Sequence, residues 1–377
     1  MDMKTVNKEK KLCFILNIGP HYRFPVFNAI AENFTCAFYI GNHLKQSIKT
    51  FDYKALKGYV ATLNNHFVRN FYWQSKSLRL VFKNYDMYFM DGEPYCLSSW
   101  IVLLLCRILG KQTVAWTHGW YGREGFVKRL IKRLYYSLYT KLMVYNEYSI
   151  KLMEREGFNP DKMYCIANSL DTEKDLKIRS ELSPSNIYRN YFKNDCPTII
   201  YCGRIQKWKK LDLVLRCISQ FKSEGVIVNA VFLGKDVENV ALDKIAENLG
   251  IADQIWLYGP CYDEQIIGEM FYNADVCLSP GNVGLTAIHS LTFGCPVLTH
   301  DDFKHQGPEF EAIRAGQTGD FFKEGDVADM KAKIAFWIKK DEESRNKTRI
   351  KAFDEIDRKW NIYYQLGVIE KVVNDEQ

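Results

Sequence analysis

The sequence predicts an α/β protein built as two doubly wound parallel-sheet domains that face each other across a cleft. Three observations predict this class. Short apolar runs alternate with helical patterns along almost the whole chain. The runs are continuous, as in strands buried on both faces, and the helices between them supply covers for both sides of a parallel sheet. A polar stretch, residues 168–197, interrupts the rhythm once, and a chain of 377 residues holds two or three domains of about 150 residues each.

In chain order, the first domain (residues 1–170) has candidate strands at 12–18, 36–40, 87–90, 113–116, 143–145 and 163–166. Helical patterns lie near 24–32, 97–109, 127–140 and 148–156. Residues 171–197 hold Ser183-Pro184-Ser185 and Asn194-Asp195 with little apolar periodicity, and read as an interdomain linker. The second domain (198–355) restarts with strands at 198–201, 226–233, 255–257, 276–278 and 297–299. Its helices lie near 211–221, 240–249, 263–272, 285–293 and 327–338. Residues 342–373 read as one or two helices, with 356–377 crossing back to the first domain. Paired domains of this kind hold a ligand at the carboxyl ends of their strands.

Composition excludes several classes. A hydrophobic fraction of 47% with 25% charged residues is that of a globular chain, not a disordered one. The eleven cysteines form no C-x-x-C pair and sit mostly inside apolar runs, so they read as core residues of a reducing, cytoplasmic compartment and not as disulfides or zinc ligands. The polar, lysine-rich start followed by a seven-residue apolar run is no signal peptide. The longest apolar stretch, 97–109, contains Arg107 and falls short of the roughly 20 residues that span a bilayer.

The net charge of +6 is unevenly spread. From Val127 to Leu142, Lys128, Arg129, Lys132, Arg133 and Lys141 alternate with Leu130, Ile131, Leu134, Tyr135 and Leu138. This is a basic amphipathic helix. It either packs its leucines on a sheet or makes peripheral contact with an anionic membrane. No nucleic-acid motif accompanies it, and no nucleic acid is expected as a partner.

The residues that carry chemistry cluster in the second domain. In LSPGNVGLTAIHSLTFGCPV, residues 278–297, a strand ends, Gly281 and Gly284 follow, and a helix starts near Leu285. Backbone without Cβ, the free N–H groups of a helix start and the Thr286 hydroxyl suit a phosphate. At the end of another strand, Gly203-Arg204 precedes Lys209, and two cations beside such a loop suit a diphosphate that gathers negative charge. In the first domain, His118 follows a strand, as do His21-Tyr22-Arg23 and Asp91-Gly92-Glu93-Pro94.

With these motifs in order, the chain resembles the retaining nucleotide-sugar glycosyltransferases of the GT-B fold, two Rossmann-like domains, and in particular the group 1 class (family four). The resemblance rests on GRIQKWKKLD (203–212), FLGKD (232–236), IWLYGPCYDEQIIGEMFYNADVCLSP (255–280), GNVGLTAIHSLTFGCPVLT (281–299) and EFEAIRAGQTGDFFKEGD (309–326). Asn17-Ile18-Gly19-Pro20, Trp116-Thr117-His118 and MYCIANSLDTE (163–173) match more loosely.

The resemblance implies an enzyme that moves a sugar from a nucleotide diphosphate sugar, with UDP as the default base, to a hydroxyl of a lipid-linked or polysaccharide acceptor. Arg204 and Lys209 would hold the diphosphate. Val283, Gly284, Leu285 and Thr286 would bind the distal phosphate, Tyr258 with Gly259 would lie at the nucleobase, His118 at the donor sugar, and Gly19 would let a first-domain loop approach the diphosphate. The family's Glu-x7-Glu pair is replaced here by Gly281 and His289. His289 would still serve the ribose, and Glu311, with Glu309 and Asp301-Asp302 as alternatives, would supply the carboxylate lacking at Gly281. No D-x-D pair stands at a strand end, so no metal is expected. A nucleotide-sugar epimerase and an inactive, binding-only relative remain open as alternatives.

Overall fold

The computed structural model describes residues 10–46 and 48–375; the lysine-rich start lies, up to residue 9, outside the described residues. The chain divides into two compact units, Met1–Asp171 with Asn361–Gln377, and Thr172–Trp360.

In the first unit, β1 (Lys11–Leu16) leads into α1 (Phe24–Asn33), β2 (Thr35–Gly41) and β3 (Tyr59–Leu63). A hairpin of β4 (Asn65–Val68) and β5 (Phe71–Gln74) and the short α2 (Ser77–Leu80) follow. The alternation then resumes with β6 (Met87–Asp91), α3 (Leu97–Ile108), β7 (Gln112–Thr117), α4 (Phe126–Tyr136), β8 (Lys141–Val144), α5 (Glu147–Arg155) and β9 (Met163–Cys165). Seven strands form a parallel sheet in the order β3-β2-β1-β6-β7-β8-β9. Side chains along β1 divide between its faces: Leu12, Phe14 and Leu16 enter one core, Cys13 and Ile15 the other. Burial on both sides is why the strands read as unbroken apolar runs.

The second unit begins with α6 (Thr172–Glu181) and α7 (Ile187–Phe192). It continues with β10 (Thr198–Cys202), α8 (Asp212–Ser223), β11 (Asn229–Leu233), α9 (Leu242–Asn248), β12 (Ile255–Gly259) and α10 (Glu264–Asn273). Then come β13 (Val276–Ser279), α11 (Thr286–Thr292), β14 (Val297–His300), β15 (Gly319–Phe322), α12 (Val327–Ile338) and α13 (Glu342–Lys359). Its six strands are parallel, in the order β12-β11-β10-β13-β14-β15. The last helix, α14 (Ile362–Asn374), returns to the first unit, where Ile369, Val372 and Val373 join the core of Phe27 and Ile30. Asn361 caps it by accepting from Tyr364 N.

Several elements differ from the sequence reading. Residues 171–197 form two helices within the second unit. They lack a periodic stripe because single anchors hold them: Tyr188 and Phe192 are buried, and Tyr188 Oη donates to Met270 O at 2.6 Å. The hairpin, β3 and β15 went unread, being short and flanked by polar residues. The basic segment also needs correction. Lys132 is buried in an ion pair with Glu124 (2.7 Å), and Lys141 is buried against Val372 O and Asp375. Leu130, Ile131 and Leu134, in contrast, face solvent. Among the described residues, no helix is long and apolar enough to cross a membrane.

Candidate functional site

In each sheet the strand order reverses once, between β1 and β6 in the first unit and between β10 and β13 in the second. Helices diverge to opposite faces at such a point and leave a crevice beyond the strand ends, where ligands of open α/β sheets bind. Most residues singled out from sequence stand at or beside these two places, each within its own unit; Tyr258 at the edge strand and Glu311 against α13 lie apart from them.

In the second unit, backbone forms the crevice. Gly203 N donates to Leu233 O (2.9 Å) and Gly234 N to Gly259 O (2.8 Å), so three strand ends continue as a ladder of glycines. A Cβ on Gly234 would stand 1.8 Å from Gly203 O, which requires the absence of a side chain. Arg204 follows, exposed and without a carboxylate partner among the described residues. Lys209, on a 3-10 turn (Lys207–Lys209), reaches back so that Nζ donates to Asn282 O and lies 4.2 Å from the Trp208 ring centroid. Burial first, then the Arg204 charge, brings the Lys209 pKa down to about 8, against the pull of Glu309. Two crowded cations with Glu309 as the acid that acts on Lys209 form a place suited to an anion.

Gly281 has no room for a side chain. A Cβ there would lie 2.5 Å from Trp208 O and 2.8 Å from Lys209 Cα, so the turn that delivers Lys209 fills the space. Gly284 holds φ +54°, and Leu285 caps α11. The loop amides are not all available: Val283 N donates to the buried Gln306 side chain at 2.9 Å. Thr286 Oγ1 donates to Cys202 O at 3.0 Å, which ties the glycine loop to the end of β10.

His289 differs most from the sequence reading. Its Nε2 lies 2.7 Å from Glu264 Oε2, and its ring also hydrogen-bonds Cys202. Burial opposes its charge, but Cys202 and Glu264 prevail and raise the pKa to about 10. Nε2 is engaged, and Glu264 supplies the carboxylate beside it. Glu311 lies 4.0 Å from Lys359 and so is drawn to α13. Glu309 is the buried one, with Oε2 crowding the same side of Gly307 as Asn282 Oδ1 and Gly284 Cα (2.8, 3.2 and 3.2 Å from a Cβ there). Tyr258, next to Gly259 at the end of the outer strand β12, packs against Trp256 at 5.4 Å. Asp302, His305 and Glu324 bring possible ligand atoms within 4.8 Å of one another on the surface, a constellation the sequence reading did not assemble.

In the first unit the crevice is crowded and titratable. Asn17 N, just past β1, donates to Asp91 Oδ2 at the end of β6 (2.5 Å). Burial raises the Asp91 pKa to about 6, opposed by the Arg23 charge and this hydrogen bond. Arg23 lies over Trp116 (4.9 Å) and Tyr145 (5.3 Å). His118 follows β7, with its ring 4.7 Å from Tyr145 and an exposed edge. Crowding by protein, then the charges of Arg23 and Lys132, bring its pKa down to about 4, so the imidazole is neutral at pH 7. Its loop is pinned by Glu124, which accepts from the amides of Tyr121, Gly122 and Arg123, and by Lys132, which donates to Gly119 O (2.5 Å). Gly19 has a packing reason: Phe51 and Tyr53 carbons lie 2.8 Å from where its Cβ would be, and Gly19 N donates to Tyr53 Oη.

Arg23 and Asp91 were read only as members of short motifs, and Glu264 not at all. Their partners are far away in sequence, so no local spacing signals them. The position of Glu264 at the first turn of α10, directly after the Asp263 cap, was the only available cue.

Residues 185–354 match the family described as Glycosyl transferases group 1. No curated protein matches the chain. Among solved structures, the chain is similar to HepE of Anabaena in complex with UDP (TM-score 0.73, 14% identity, 97% of this chain and 100% of that one). It is also similar to the lipopolysaccharide outer core galactosyltransferase WaaB in its apo form (0.69, 11%, 97% and 99%). A glycosyltransferase from Rickettsia africae gives 0.70 at 14% identity, over 98% and 100%. The second unit is thus related to the group 1 glycosyl transferases, and the chain as a whole has the GT-B fold.

Proposed function

We propose that the protein is a glycosyltransferase that moves a sugar from a UDP-sugar to a hydroxyl of a lipid-linked or polysaccharide acceptor. It acts in the cytoplasm, with retention of anomeric configuration and without a divalent metal. The observation that carries this reading is the pair Arg204 and Lys209 beside the side-chain-free ends of β10 and β13. HepE, similar over its full length, was solved with UDP and with UDP-glucose, and WaaB is named a galactosyltransferase. Eleven free cysteines accord with a reducing compartment.

In this mechanism the bond from the anomeric carbon to the β-phosphate oxygen breaks, and Arg204 and Lys209 stabilise the charge that gathers on the leaving diphosphate. The acceptor oxygen bonds to the same face of that carbon, and its proton passes to the departing phosphate. His118, neutral at pH 7, hydrogen-bonds a donor-sugar hydroxyl without adding positive charge near the oxocarbenium-like centre. Glu264, held by His289, takes the ribose hydroxyls. Glu309, in preference to Glu311, supplies the carboxylate that position 281 has no room for.

The rigid Gly281 also favours a second reading, a chain that binds UDP and transfers nothing. One experiment separates them: thermal shift with UDP, GDP, ADP and their sugars, with and without EDTA, for the parent chain and Arg204→Ala. A ligand at 100 times its Kd stabilises by about 2.7 kcal/mol. UDP-specific, EDTA-insensitive stabilisation that Arg204→Ala abolishes, together with sugar transfer to lipid extracts, supports the enzyme. The same shift without transfer or hydrolysis leaves the binding protein, and no shift with any nucleotide removes both.

A further inference from the structure

At the edge of the first sheet opposite its crevice, the amino ends of β7, β8 and β9 open into a hollow of about 530 Å³. Strands rise about 3.3 Å per residue, which places Gln112, at the start of β7, about 16 Å from Thr117 at its other end. The volume falls in the range of about 300–1,000 Å³ that small-molecule sites occupy. The hollow beside Trp337 and Lys340 in the second unit, in contrast, has about 10 Å³, room for a water at most. The walls of the larger one come from the segments that lead into three neighbouring strands, so the sheet itself sets its shape.

Its lining charges divide into engaged and free. Helices of a parallel sheet end at this edge, and their carboxyl ends attract cations. Lys111 Nζ is engaged with carbonyls here, donating to Lys83 O (2.8 Å) and Tyr85 O (3.2 Å), and it also donates to Tyr88 Oη (3.2 Å). Lys141 is likewise held by Val372 O and Asp375. The side chains of Arg107, in the last turn of α3, and Lys162, in the 3-10 turn before β9, make no ion pair or hydrogen bond among the described residues. Two acceptors stand with them. The Gln112 side-chain oxygen is buried with no donor in the protein, and the Asp161 carboxylate makes no ion pair among the described residues. Burying an oxygen without a donor is costly, and a ligand hydroxyl would supply one. Two cations alone suit a bare inorganic anion, and two acceptors alone suit a neutral sugar. We propose that this hollow binds a sugar bearing a phosphate or a carboxylate, with Arg107 and Lys162 on the acidic group and Gln112 and Asp161 on the hydroxyls. Such a ligand has two sources, a free sugar phosphate or an acidic residue of a glycan.

The site does not depend on the transfer reaction, and the test keeps the two apart. It is calorimetric titration of the full chain with glucose 6-phosphate, glucuronate, glucose and inorganic phosphate. Glucose 6-phosphate or glucuronate should bind the parent and Arg204→Ala alike, at least about tenfold tighter than glucose or inorganic phosphate, and stay bound under saturating UDP. Arg107→Ala with Lys162→Ala should weaken that binding at least about tenfold at unchanged melting temperature, both side chains being exposed. Asp161→Ala should weaken the acidic sugar yet tighten inorganic phosphate, since it removes a hydroxyl acceptor and a negative charge together. Tighter binding of glucose 6-phosphate identifies the free sugar phosphate as the source, and tighter binding of glucuronate the acidic glycan; both results sustain the site. Absence of binding, binding no tighter than that of glucose, displacement by UDP, or binding unchanged in Arg107→Ala with Lys162→Ala overturns the proposal.

Discussion

The two crevices, both at strand-order reversals, are built from opposite materials. In the second unit the walls are backbone: Gly203, Gly234, Gly259 and Gly281 keep side chains away, and Arg204 and Lys209 bring two positive charges together with Glu309 as the acid that acts on Lys209. In the first unit the walls are rings and ionisable groups, with Asp91 raised to about 6 and His118 lowered to about 4 by their surroundings. The first arrangement waits for an anion and recognises it through amides and cations. The second sets protonation states, and in the proposed function it meets the uncharged hydroxyls of a sugar. One topology thus serves two recognition chemistries, because the site is made by loops beyond the strands, not by the strands.

Substitutions can break this contrast. The largest effect is expected in the glycine-lined crevice, where Arg204→Ala should lower kcat/KM by about 10²–10³-fold and remove the UDP-induced thermal shift. A variant that keeps both would disprove the diphosphate assignment. In the ring-lined crevice, His118→Ala should lower kcat by about 10–100-fold while UDP affinity stays within a few-fold. Loss of UDP binding in that variant would mean that His118 belongs to the phosphate site. Gly281→Ala should destabilise by about 1–3 kcal/mol, since Trp208 O and Lys209 Cα must yield. An unchanged melting temperature would show that the Lys209 turn moves freely.

Two smaller effects concern charge. Lys209 is a cation below its pKa of about 8 and neutral above it, so UDP affinity should fall as pH rises through that value. In Lys209→Arg, which stays charged, calorimetric titration should give a flatter profile. His289 has a folded pKa raised to about 10. The stability from its pair with Glu264 should be fully present below the unfolded value of about 6.5 and be lost as pH rises through about 10. Denaturant melts of the parent and Glu264→Gln should therefore converge at high pH. The same variant should raise KM for the donor several-fold more than it lowers kcat, if Glu264 takes the ribose.

Much of this was legible beforehand. The alternating α/β pattern, the phosphate-suited loop at 281–286, Arg204, Lys209 and the strand-end position of His118 all come from local order, since a glycine loop after a strand is a run of consecutive residues. Glu264, Glu309 and Asp91 were not legible as partners, because each acts with a residue from another element: His289 with Glu264, the glycine loop with Glu309, Asn17 with Asp91.

By itself, then, the sequence determined the strands buried on both faces, the periodic helices between them and the places where backbone had to lie bare, because burial on two faces and the lack of a Cβ are properties of single residues and their immediate neighbours. The tertiary structure decided which way an amphipathic helix turns. On α8, Val214, Leu215, Ile218 and Phe221 face the core, whereas on α4 the leucines face outward and a lysine faces in. Both helices carry an apolar and a charged side in sequence. Beneath α4, Glu124 and the Gly119 carbonyl receive Lys132, and Ser99 and Gly92 receive Tyr135 and Tyr136, which turns the polar side of the helix inward. Burying a cation is tolerable where its hydrogen bonds are already placed, and that placement depends on the fold around it.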